Sequence, residues 1–162
     1  MSVEDVALHT QRLRRVARRH PSAFLLAAQL LSLLVYPLID DGTGGRVLFG
    51  AVALVVVPLA VWVVNRSSFV NTIAWLLAIP AMLLTVLAVV FENDALLPFS
   101  ALLEAALYFY AAASLISYML HDHKVTADEL FAAAATFTLL AWGFAYAYFV
   151  CQAWYPGSFT VF

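Results

Sequence analysis

Residues 67–91 read SSFVNTIAWLLAIPAMLLTVLAVVF, a stretch without one Asp, Glu, Lys or Arg. A helix needs about 20 predominantly apolar residues to cross a hydrocarbon core of ~30 Å, and this stretch is long enough. Stretches of the same kind lie on either side of it. They run 20–39, 47–65, 95–120 (interrupted only by Glu104) and 130–162. The last exceeds one span, and Pro156-Gly157 closes it. The sequence therefore predicts an all-α fold, a polytopic membrane helix bundle of about five transmembrane helices.

Composition points the same way. Of the 162 residues, 65% are hydrophobic and 11% are charged, where a soluble domain has roughly 45–50% and about 25%. One core cannot absorb that much apolar surface, so the bilayer has to act as the solvent. The net charge of −2 matters less than where the charges sit. Cys151, the single cysteine, excludes an intrachain disulfide and a multi-cysteine metal site. It is expected to pack as a small apolar residue.

Four segments follow in order. Residues 1–20 form a basic amphipathic N-terminal segment, with Val3, Val6, Ala7, Leu13 and Val16 at helical spacing. Its five arginines, Arg12, Arg14, Arg15, Arg18 and Arg19, precede the first span and suit an anionic cytoplasmic leaflet. They lie against a membrane helix and carry no nucleic-acid signature. With no small-x-small cleavage site, the first apolar run reads as a retained helix. Residues 21–120 form a four-helix transmembrane bundle, 121–129 a cytoplasmic linker and 130–162 a fifth transmembrane helix. Pro58 and Pro80 fall inside the second and third spans, where each frees a carbonyl one turn earlier and predicts a kink.

Orientation follows from the basic residues near the ends of the spans. With the N-terminus in the cytoplasm, the inner segments hold the five arginines, Arg66 and Lys124, while the outer loops hold only Arg46. The outer loops also carry Asp40, Asp41, Glu92 and Asp94. The distribution predicts a cytoplasmic N-terminus.

Within 95–120 there is no Arg or Lys. A voltage sensor moves about 3–4 positive charges per subunit through the field, so this span does not sense voltage in that way. It carries Glu104 instead, ~12 Å deep if the helix enters the membrane near Leu96. Ser100, Glu104 and Tyr108 recur at i, i+4 and i+8 and make a polar seam. A carboxyl at that depth faces protein or water, or holds a proton. Three roles are open: a structural hydrogen-bonded group, part of an ion pathway or gate, or a side chain reaching the outer surface.

The linker carries Lys124, and Thr126 with Glu129 has the spacing of a capping box. Asp128 and Glu129 also complement the positive end of the helix dipole. The helix beyond is built of small and aromatic residues, among them Trp142 and Gly143, whose small members allow close helix approach. Trp154 and Tyr155 stand where an interfacial aromatic anchor belongs.

The stretch 124–159, KVTADELFAAAATFTLLAWGFAYAYFVCQAWYPGSF, resembles the outer pore helix and its approach in bacterial potassium-channel-like proteins. These have four N-terminal spans and a two-helix pore module. The resemblance rests on the Val-Thr-Ala-Asp entry, the small and aromatic helix with Trp142 and Gly143, and the Pro156-Gly157-Ser158-Phe159 exit. It implies the N-terminal part of a potassium-type cation channel subunit in a bacterial inner membrane, tetrameric in its complete form. No Thr-x-Gly-x-Gly sequence occurs in these 162 residues. The carbonyl cage that replaces an ion's hydration shell is thus not encoded here, and potassium or another monovalent cation is a partner only if the pore is completed.

No nucleophile elbow, phosphate loop, His-Glu-x-x-His or paired carboxylates occur, so catalysis is not expected. His9, His20, His121 and His123 read as solvated segments, and no cofactor is expected. The alternatives are a small non-catalytic membrane protein that assembles with a partner and an intramembrane redox or other enzyme.

Overall fold

The computed structural model describes residues 21–35, 55–62, 71–121 and 127–159. The basic segment 1–20, the acidic-glycine turn 40–45, Arg46, Arg66, Lys124 and Thr126 lie outside the described residues. Those described form an all-α bundle without strands. Its helices are α1 (Pro21–Val35), α2 (55–62), α3 (Asn71–Val90), α4 (Leu97–Leu120) and α5 (Ala127–Trp154). Three apolar stretches are long enough to cross a membrane: α3, α5, and α4 with the 3-10 turn Asp94–Leu96 before it. α1 is a shorter apolar helix.

The pattern of burial on α3 is the reverse of that of a soluble helix. Its buried residues are Ala74, Ala78, Ala81, Thr85 and Ala88, all small. They recur at alternating steps of four and three, which puts them on one stripe. Trp75, Leu76, Ile79, Leu83, Val86 and Val90 are exposed. Lipid tails are as apolar as leucine, so nothing drives large side chains inward. Small residues instead let the backbones approach closely and gain dispersion contact. α3 runs through Pro80 as one helix.

The α3–α4 turn is defined atom by atom. The Asn93 N–H donates to Ala88 O at 3.0 Å and that of Phe91 to Leu87 O at 2.9 Å. Glu92 sits between them at φ 48°, in the left-handed position that closes a Schellman motif and usually belongs to glycine. Asn93 then caps the 3-10 turn by accepting from the Ala95 N–H at 3.1 Å. Pro98 enters α4 in its first turn, where a missing N–H costs no hydrogen bond.

α4 is the central helix. Of its apolar window 56% is buried, against 28% for α3 and 39% for α5. Its most extensive interface is with α5, followed by that with α3, while α1 packs on α5. Val56, Val57, Ala60 and Val61 bring α2 into the same core. Phe99 meets Trp154, Tyr108 meets Tyr146 and Phe109 meets Phe144, so α4 and α5 run antiparallel. The Ser22 hydroxyl at the start of α1 donates to Asp128 Oδ2 at 3.4 Å, and Leu33 at its far end lies beside Ala145 and Phe149. α1 therefore runs parallel to α5.

Candidate functional site

Most hydroxyls inside the bundle bond to their own helix. Ser32 donates to Ala28 O at 2.7 Å, Thr136 to Ala132 O at 2.7 Å and Thr138 to Ala134 O at 2.9 Å. This i−4 back-bonding spares a helix an unpaired polar group where water is absent. Ser100 also bonds to its own helix, one residue closer at i−3, donating to Leu97 O at 2.9 Å. It is buried but does not join Glu104 in a hydrogen-bonded seam.

Besides the Ser22–Asp128 contact, a cluster where three helices meet departs from this pattern. Glu104, 2% exposed, lies on the inner face of α4. Thr85 Oγ1 of α3 stands 3.0 Å from Glu104 Oε1 and also 3.0 Å from Ala81 O in its own helix. From α5, Tyr146 makes side-chain hydrogen bonds with Glu104 and Tyr108. The Tyr108 and Tyr146 rings pack at 5.6 Å between centroids. Glu104 Oε2 is buried with no hydrogen-bond partner among the described residues. So Glu104 and Tyr108, two of the three seam residues, come together, and the groups completing the cluster come from other helices.

Thr85 and Tyr146 could not be singled out from the sequence in the same way. A trace of Thr85 was there, as the lone hydroxyl on the small-residue stripe of α3. Tyr146 had no such mark. Tyr148, two residues on, is exposed, and only the rotation of α5 against α4 separates the two.

The remaining predicted positions are spread over the molecule. Asp128 and Glu129 lie in the first turn of α5, both half-buried. Their proposed capping partner Thr126, and Lys124, lie outside the described residues. Gly143 is buried against the Phe109 ring of α4. Trp142 is half-buried, 6.1 Å from the Tyr146 ring. Pro156 and Gly157 form the exposed exit turn, where Gly157 takes φ 93°. Cys151, expected to pack as a small apolar residue, is exposed on α5. It lies on the face opposite the helix contacts, so its burial depends on what surrounds the bundle.

A lateral cleft of about 400 Å³ opens between α1 and α5. Leu33 lines one wall and Ala141, Trp142, Ala145, Tyr146 and Phe149 the other. Tyr146 thus lies between the cleft and the Glu104 cluster. Among the described residues, no three His, Cys, Asp or Glu side chains converge as a metal site.

The chain matches no protein-family model, no curated protein and no solved structure.

Proposed function

We propose that this chain is the N-terminal, membrane-embedded part of a potassium-type cation channel subunit, with α5 as the outer helix of a pore module. In this arrangement five helices cross a bacterial inner membrane from a cytoplasmic N-terminus. α1 to α4 form a peripheral bundle without a voltage sensor. The ion path lies beyond α5, among four copies, and is walled by residues after this stretch. The sequence Asp40-Asp41-Gly42-Thr43-Gly44 has an aspartate where a filter of the Thr-x-Gly-x-Gly kind has threonine.

The observation that carries the proposal is the way the chain leaves α5. The turn at Pro156-Gly157 brings Phe159 back against Tyr148, with ring centroids 5.3 Å apart and planes at 88°. The chain thereby turns back onto α5 at Tyr148, on a face that also carries Leu130, Phe137, Phe144 and Cys151, all exposed. A pore module needs this course, because its pore helix re-enters the membrane beside the outer helix. The parallel course of α1 and α5 agrees with alternating spans, in which the first and fifth cross in the same direction.

The test is potassium flux from liposomes containing the native gene product, compared with liposomes containing residues 1–162 alone. Selective flux from the native product and none from 1–162 is the expected outcome. A native product that carries no filter and passes no ions would overturn the proposal in favour of a non-conducting assembly protein.

A further inference from the structure

We infer that Glu104 is a proton-binding site: its carboxyl is protonated in the folded bundle and donates to Thr85 Oγ1, tying α3 to α4. The inference requires only the bundle and is independent of the channel proposal.

The first argument is a count of protons. Thr85 has one hydroxyl proton and two acceptors at 3.0 Å, Ala81 O and Glu104 Oε1. Tyr146 also has one, and it faces both Glu104 and Tyr108. A hydroxyl donates once and accepts through two lone pairs. With Glu104 ionised, Thr85 has to give up its back-bond to Ala81 O to steady the charge. Tyr146 can give its proton to Glu104 only if Tyr108 donates to Tyr146 in turn, and Oε2 still has no donor among the described residues. With Glu104 protonated the chain closes: Glu104 Oε1–H to Thr85 Oγ1, then Thr85 Oγ1–H to Ala81 O. That second bond is the i−4 back-bond that Ser32, Thr136 and Thr138 make elsewhere in the bundle.

The second argument is charge. Positions 67–123 contain no Lys or Arg, and neither does any other described residue. The groups around Glu104 from the packed helices are Thr85, Tyr108 and Tyr146, all neutral hydroxyls. A buried carboxylate without a cation costs far more than a buried neutral acid. Oε2, unpartnered among the described residues, is then the carbonyl oxygen of an acid rather than half of an uncompensated anion.

Infrared spectroscopy of the native product in lipid nanodiscs at neutral pH tests this directly. A protonated-carboxyl C=O band is expected in the wild type, and its difference from the variants assigns it to Glu104. The band should vanish in E104Q and move in T85V, which keeps the acid and removes its acceptor. E104Q should melt within a few degrees of wild type, since its amide N–H can replace the acid proton. T85V should melt roughly 2–6 °C lower. A wild-type spectrum with no protonated-carboxyl band would overturn the inference even if neither variant folds. So would loss of a carboxylate band, rather than the C=O band, in E104Q.

Discussion

Gly143 is where α4 and α5 come closest to excluding a side chain, so a substitution there has a magnitude that follows from the geometry. A Cβ built on Gly143 would lie 3.2, 3.3 and 3.4 Å from Cζ, Cε1 and Cε2 of Phe109. Alanine needs the ring tip to move by a few tenths of an ångström. That small cost offsets a gain of about 1 kcal/mol in helix propensity. Gly143→Ala should therefore change stability by less than about 1 kcal/mol. Leucine occupies the space of the ring itself. It carries an overpacking cost of about 1–3 kcal/mol. It also breaks the edge-on Phe109–Phe144 pair, whose centroids are 5.1 Å apart, for about 0.5–1.5 kcal/mol more. After the propensity gain of about 1 kcal/mol, Gly143→Leu should cost about 0.5–3.5 kcal/mol and lower the melting temperature by roughly 1–14 °C. The assay is thermal unfolding of purified protein in one detergent. Phe109→Ala combined with Gly143→Leu should recover about 1–2 kcal/mol of the sum of the single effects, because both act on one contact. Wild-type melting of Gly143→Leu, or strict additivity in the double variant, would refute the close approach of α4 and α5.

Three further outcomes are expected. Glu92→Gly should raise stability by about 1 kcal/mol, since a non-glycine residue at φ 48° bears a left-handed strain of about 1–2 kcal/mol; a lower melting temperature would contradict the Schellman closure of α3. Cys151 in detergent-solubilised residues 1–162 should react with a maleimide, as its exposure requires, and modification only after unfolding would show that another element covers it. In a Cys151→Ser background, the pair Ser22→Cys and Asp128→Cys should form a disulfide on mild oxidation, given the 3.4 Å contact between the native side chains. Failure to cross-link, with Leu33→Cys joining to position 128 instead, would reverse the direction assigned to α1.

Much of the fold could be read along the chain because the bilayer sets a length. Runs such as 71–90 and 97–120 are as long as an apolar helix must be, and the structure makes each of them a single helix. Helix ends were less legible. α5 starts at Ala127, three residues before the charge-free run but where the Thr126–Glu129 capping-box spacing puts a helix start, with Asp128 and Glu129 in the first turn beside the dipole. It stops at Trp154, where the chain bends into the Pro156-Gly157 turn. Glu104 could be identified because a charged residue inside an apolar run stands out whatever the fold. Thr85 and Tyr146 could not, since a threonine or tyrosine in such a run is common and costs little when back-bonded or facing lipid.

By itself, the sequence determined that the chain is helical, that its helices need an apolar solvent and that one carboxyl lies among them. These properties follow from run length and composition, which are local. Only the tertiary structure decided which face of each helix is inward. In water the large apolar residues would mark that face. Here lipid and protein interior are equally apolar, so close approach decides, and the inward stripe of α3 is four alanines and a threonine. The same rotation puts Tyr146 inside and Tyr148 outside, and sets Gly143 under Phe109. It also brings Thr85 to within 3.0 Å of an acid 19 residues away, a distance that depends on how two helices pack and not on any feature of either one alone.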